Sequence, residues 1–237
     1  MNLADDGVQV YPGVFAPWEA SLIRREAYRS LNRTAGGRNT VQMFGGRPAL
    51  LFWPSISNDV MNSYRTDGRL AEIVREHLGD DVKQVNNQVY FREPGDGDSF
   101  AWHQDIVFRQ PAQDFPGIED AYLQTVIVID EITENNGAVE YILGSHKTGR
   151  FEGNPDQLSG ALRRFRRDGL RGVKLTAKPG DVIVWSVMVV HGSETNESDR
   201  PRMVYMNGFA RADASVYNPM YLHAGKVVAE VDEGAFK

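Results

Sequence analysis

The chain of 237 residues contains no cysteine. That absence removes disulfides, zinc–thiolate sites, iron–sulfur clusters and cysteine nucleophiles together. Histidine is scarce too, with five in all: His77, His103, His146, His191 and His223. Any metal must therefore be held by imidazole, carboxylate or water, and the candidate ligand sets are few. Basic excess is also missing. The 26 Lys and Arg are outnumbered by 32 Asp and Glu, a net charge of -6, which gives no electrostatic footprint for nucleic acid. No apolar run approaches the roughly 20 residues that a bilayer crossing needs. The acidic opening, Met1 to Asp6, lacks the basic and apolar regions of a signal peptide. A cytoplasmic protein without nucleic-acid or membrane partners is expected; nothing in the sequence sets its oligomeric state. No repeat or low-complexity segment is present, and the length suits one domain over 1–237 with a substantial core.

The patterning that is present divides the chain. After a short strand around Val8 and Val10, Pro17 suits a first helical position, and Leu22, Ile23, Ala27 and Leu31 recur at helical spacing. Gly36-Gly37 and Gly45-Gly46 bracket a polar segment that reads as a surface loop or a lid. Ala49 to Trp53 reads as a strand. Leu70, Ile73, Val74 and Leu78 define a second helix with Gly79 as its C-cap, and His77 in its last turn reads as structural. From Asp81 the period changes to two, in a strand that runs toward the turn Pro94-Gly95-Asp96-Gly97-Asp98. Tyr122 to Ile129 is a β-branched run that must be buried on both faces. Further strands are expected at 139–143, 173–176, 181–190 and 203–209. Between them, Leu158, Leu162 and Phe165 suggest a short helix carrying Arg163, Arg164, Arg166 and Arg167, with Arg171 beyond it. This basic cluster reads as a solvated face, or as a docking site for an anionic substrate or carrier. The expected fold class is mainly β with packed helices: a helical portion over about 16–80 and a β core over about 81–211.

Chemistry concentrates at Trp102-His103-Gln104-Asp105. In an extended segment His103 and Asp105 share one face, with Trp102 and Gln104 on the other. H-x-D alone is a common chance match. His191, which follows an apolar run, could add a second imidazole. Two imidazoles and one carboxylate cap one face of an octahedron and leave the opposite face open, as in non-haem Fe(II) oxygenases. Arg202 lies eleven residues beyond His191, on the next expected strand, where its fork suits a dicarboxylate.

Taken in order, these features resemble the phytanoyl-CoA dioxygenase family of Fe(II)/2-oxoglutarate-dependent oxygenases. The resemblance runs from Gly7-Val8-Gln9-Val10 through the H-x-D motif, Glu134-Asn135-Asn136-Gly137, Gly144-Ser145-His146-Lys147 and Lys178-Pro179-Gly180-Asp181 to His191-Gly192-Ser193 and Arg202. It implies a double-stranded β-helix (jelly-roll, cupin-like) core. It assigns iron to His103, Asp105 and His191, and the distal carboxylate of 2-oxoglutarate to Arg202 with help from Ser193. Gln88 and Tyr90, on the strand before the motif, are further co-substrate candidates, and His146 falls in a structural loop. With O2 as the second co-substrate, succinate and CO2 form as a substrate C–H is oxidised. In related halogenases a small residue replaces the carboxylate; the presence of Asp105 implies hydroxylation, desaturation or ring formation instead.

The substrate is not written in these motifs. Trp102, Gln104, Phe108, Arg109, Tyr122, Gln124 and Arg211 are candidate pocket residues by nearness in sequence, and Arg109 and Arg211 would suit an anion. A small or medium metabolite, such as a natural-product intermediate, fits the compact length. A peptide or a CoA- or carrier-tethered substrate is compatible with the same residues. So is a jelly-roll protein that binds a metal or ligand without oxygen chemistry.

Overall fold

The protein is described here from a computed structural model, which describes residues 1–32, 40–95, 99–151 and 155–236, without the side chains of 155–159. The helices are α1 (Leu3–Asp6), α2 (Pro17–Leu31), α3 (Asp59–Arg65), α4 (Gly68–Leu78) and α5 (Pro155–Arg167). The strands are β1 (Val8–Tyr11), β2 (Val41–Phe44), β3 (Arg47–Phe52), β4 (Val82–Arg92), β5 (Phe100–His103), β6 (Tyr122–Val128), β7 (Val139–Ile142), β8 (Gly172–Lys174), β9 (Val182–Ser186), β10 (His191–Ser193), β11 (Arg202–Arg211), β12 (Met220–His223) and β13 (Lys226–Val227). They form two antiparallel sheets. The larger has the order β1-β9-β6-β11-β4-β12-β13, with β3 also on β4 and β2 on β3; the smaller runs β5-β10-β7-β8.

Three layers result, because the central strands are apolar on both faces. On the helical side, Leu123, Ile127, Val89 and Tyr205 pack with Ile23 and Ala27 of α2, Met61 of α3, and Leu70 and Val74 of α4. The opposite faces supply Val126, Val128, Ile183 and Val204, which meet Tyr141 and Leu175 from the smaller sheet and its surroundings. The run at 122–128 is buried at every position, as a strand between two such layers must be. This is the jelly-roll architecture. The expected partition is corrected at both ends: β1 pairs with β9, β3 with β4 and β12 with β4, so the sheets draw strands from outside 81–211.

The helix caps follow from residue type. Pro17 opens α2, where Glu19 accepts from the Ala16 amide. Asn58 and Asp67 cap α3 and α4 with their side chains. On α5, Ala161 and Phe165 are buried while Arg163, Arg164, Arg166 and Arg167 are exposed. Gly36 and Gly37, which open the segment read as a surface loop or a lid, and Asp96 to Asp98 of the expected turn lie outside the described residues, as does the side chain of Leu158. Gly45-Gly46 closes the β2–β3 hairpin. Among the described residues no helix is long and apolar enough to cross a membrane.

Candidate metal centre and its cavity

Strand β5 ends at His103. Gln104 remains extended, and Asp105 opens a 3-10 turn over Asp105–Phe108. His103 is the direct cross-strand partner of His191, so both imidazoles lie on one face, with ring centroids 4.3 Å apart. His103 Nδ1 lies 2.8 Å from the Ala101 carbonyl and His191 Nδ1 3.0 Å from that of Val189. A carbonyl can only accept, so both protons sit on Nδ1 and both Nε2 lone pairs are left for a ligand.

Those Nε2 atoms lie 3.5 Å and 3.8 Å from Asp105 Oδ1. Two bonds of about 2.0–2.2 Å to one ion span such separations, and the three side chains form a metal-competent cluster. The donor set therefore fits a divalent ion, and among the described residues no other such cluster is found. Trp185 Nε1 donates to Asp105 Oδ2 at 2.8 Å, which leaves Oδ1 directed at the two imidazoles. Burial pushes the Asp105 carboxyl up, but His191, His103 and Arg109 outweigh it and hold the group well below the usual carboxylate range. Burial, then the neighbouring His103, lowers His191 to about 4. An ionised carboxylate and a neutral imidazole are the states that bind metal.

The centre opens on a cavity of about 430 Å³ between the sheets, within the range of small-molecule sites. Alternation sets its walls: Asn86, Gln88, Tyr90 and Arg92 of β4 and Arg202, Val204 and Met206 of β11 all line it. Arg202 and Arg92 are register partners at one end, with Ser193 nearby on the wall. Both guanidinium groups are buried, and Arg92 Nη2 donates to the Glu194 carbonyl at 3.0 Å. Gln88 Nε2 is 3.3 Å from Met206 Sδ. Burial and the charge of Asp105 raise the Tyr90 phenol well above its ordinary value.

Of the candidate substrate residues, Phe108, Arg109 and Gln124 line the cavity. Four do not, and each has a physical reason. Trp102 points to the other face of β5 and packs on Ile142, Ala161, Phe165 and Val190. Gln104 ties loops together, donating to the Gly149 and Met188 carbonyls at 3.0 Å and 2.7 Å and accepting from the Phe151 amide at 2.8 Å. Tyr122 is buried beneath Arg109 and accepts from its Nη2 at 2.7 Å. Arg211 is exposed on the opposite face of β11 and pairs with Asp213 at 3.1 Å. The remaining histidines are structural in geometry: His77 meets Tyr11 Oη at 2.8 Å, His146 the Ala4 carbonyl at 3.2 Å, and His223 Asp81 at 3.0 Å.

Three residues of the site escape a reading by motif: Arg92, Trp185 and Tyr141, whose ring stacks on His191 at 5.5 Å and 24°. Period two in β4 carries the signal for Arg92, since Gln88, Tyr90 and Arg92 must share a face.

A crystal structure of EctD from S. alaskensis with 2-oxoglutarate and 5-hydroxyectoine superposes with a TM-score of 0.77 at 23% identity, covering 95% of this chain and 77% of that one. The epimerase SnoN in complex with Fe3+, alpha ketoglutarate and nogalamycin RO gives 0.72 at 21% identity, with 92% and 83% covered. These likenesses show that the fold is shared with those proteins. The family model described as Phytanoyl-CoA dioxygenase (PhyH) matches residues 3–204, and the chain belongs to that family. A probable alpha-ketoglutarate-dependent hypophosphite dioxygenase of Stutzerimonas stutzeri is 29% identical over 168 residues, 68% of this chain. This chain spans 56% of that relative's length.

Proposed function

We propose that the chain is an Fe(II)- and 2-oxoglutarate-dependent oxygenase that oxidises an unactivated C–H of a small or medium metabolite. One observation carries this reading: the His103, Asp105 and His191 donors converge on a cavity whose far end holds Arg202 with Arg92 and Ser193. The three donors would hold Fe(II). Arg202 would take the distal carboxylate of 2-oxoglutarate in a bidentate fork, Ser193 would add a hydroxyl, and Gln88 and Tyr90 would border the co-substrate. Bound Fe(II) and 2-oxoglutarate supply O2 activation coupled to decarboxylation to succinate and CO2.

The chain's own contribution is placement and exclusion of water. Trp185 fixes the carboxylate of Asp105, the Ala101 and Val189 carbonyls fix the imidazoles, and Val126, Val204 and Ile183 keep the walls apolar. Because Asp105 occupies the third ligand position, hydroxylation or a related oxidation is favoured over halogenation. Protein reconstituted with Fe(II) is expected to release succinate from 2-oxoglutarate in an O2-dependent reaction, accelerated by members of a metabolite panel more than by peptides. Asp105→Ala is expected to abolish substrate oxidation. Succinate release that is absent with O2 present, or undiminished in Asp105→Ala, contradicts the reading.

A further inference from the structure

The cavity has two cationic ends, and 2-oxoglutarate accounts for only one. Arg202 and Arg92 form the first. The second is Arg109, four residues beyond Asp105, at the end of the 3-10 turn that Asp105 opens. Its backbone is tied to the metal centre by that turn. Its side chain is held by Tyr122, with Nη2 donating to the phenol oxygen at 2.7 Å and the guanidinium 4.9 Å from the ring centroid. Gly208 makes this possible: a Cβ there would overlap Tyr122 Oη and Gln124 Oε1.

What Arg109 lacks is an anion within ion-pair distance, since the charge of Asp105 reaches it only through space. The described structure gives it no carboxylate partner, and its Nε is buried with no hydrogen-bond partner. Arg69, by contrast, is bracketed by Glu19 and Asp67, each at 2.8 Å. Beside Arg109 on the same wall, Gln124 is 2% exposed and its Oε1 is also buried without a partner. Unpaired buried groups of this kind are costly unless a ligand satisfies them.

Resting on the oxygenase reading above, we propose that Arg109 binds an oxyanion of the substrate, a carboxylate or a phosphorus oxyanion, with Gln124 Oε1 accepting from an N–H or O–H beside it. The substrate then lies between Arg109 and the metal, and 2-oxoglutarate lies between the metal and Arg202. Tyr122 is a positioning residue that acts through Arg109.

The test uses O2-free protein loaded with Fe(II) and saturated with 2-oxoglutarate, so that Arg202 is occupied. Propionate and methylphosphonate are titrated against the neutral probes propionamide and dimethyl methylphosphonate, read by thermal melting and by perturbation of the metal-to-ligand visible band. Saturable binding of an anion, and not of its neutral counterpart, is expected. The tighter of the two anions identifies carboxylate or phosphorus chemistry. Arg109→Met is expected to weaken anion binding by about tenfold or more, with 2-oxoglutarate affinity within about twofold of wild type. Arg109→Lys, which keeps the charge, is expected to retain most of the binding and guards against a folding defect in the first variant. Failure of both anions to saturate wild-type protein, equal binding of the neutral probes, or unchanged anion affinity in Arg109→Met overturns the proposal while the oxygenase reading stands. Failure of 2-oxoglutarate itself to bind overturns both.

Discussion

The three donors are held by groups that are not ligands, and this is where single substitutions are most informative. Trp185→Phe keeps an aromatic side chain but deletes the indole N–H and its 2.8 Å bond to Asp105 Oδ2, together with part of a buried ring. Metal affinity, measured by competition with a chelator, is expected to fall about 10–100-fold, with a lower melting temperature from the lost packing. His191 gives a pH signature in the metal-free protein. Burial and His103 lower it to about 4 from an ordinary 6.5, so the folded state favours neutral imidazole. Above about 6.5 both folded and unfolded chains carry it neutral and its contribution is fully present. As pH falls below that, only the unfolded chain takes up the proton, and stability is lost progressively down to about 4. Denaturant midpoints of wild type and His191→Asn across this window check it: the wild-type slope is expected to be steeper. His103 and Asp105 are legible from the sequence because their chemistry is carried by a local triplet. Trp102 and Gln104 show the limit of that legibility. Nearness in sequence suggests the pocket, whereas strand alternation sends both to the opposite face, where they hold loops and core.

At the scale of elements, β4 and β11 do two jobs on their two faces. Toward the cavity they present Arg92, Tyr90, Gln88 and Arg202. Toward the helices they carry a buried polar belt: Asn87 donates to Tyr205 and Asn207, both at 2.7 Å, and accepts from Ser55 Oγ at 2.8 Å. Gln84 extends the belt from Asn207 at 2.9 Å to the fully buried Arg65, also at 2.9 Å. Asn87→Ala strands several of these groups, and a loss of about 1–3 kcal/mol is expected from urea unfolding; no loss would show that the belt is slack. The helices and central strands are visible in the sequence because Leu22, Ile23 and Ala27, or Leu70, Ile73 and Val74, repeat at a clear period. Two things are not visible. The short β10 is set by its pairing with β5 and β7 rather than by its own pattern. Arg92 shares a face with Gln88 and Tyr90 by period two, but only its register with Arg202 fixes that face as the inward one.

For the molecule as a whole, a helical layer braces the larger sheet from behind, so the cavity between the sheets has one rigid wall. The β2–β3 hairpin adds Gln42, Leu50 and Phe52 to the cavity lining, and the half-exposed Phe108 also borders it. A mainly β core could be anticipated from strand patterning, and its jelly-roll form from the family resemblance alone. The joining of β1 and β12 to the larger sheet could not, because distant pairing leaves no local trace. In the proposed function one cavity holds both Fe(II) at His103, Asp105 and His191 and 2-oxoglutarate at Arg202. Its most direct test is an O2-free titration of the Fe(II) protein with 2-oxoglutarate, followed in the visible spectrum. A weak charge-transfer band that saturates in wild type, needs several-fold more 2-oxoglutarate in Arg202→Ala and is lost in His191→Ala is the expected result. No band at saturating 2-oxoglutarate in wild type, or a band indifferent to both substitutions, would contradict it.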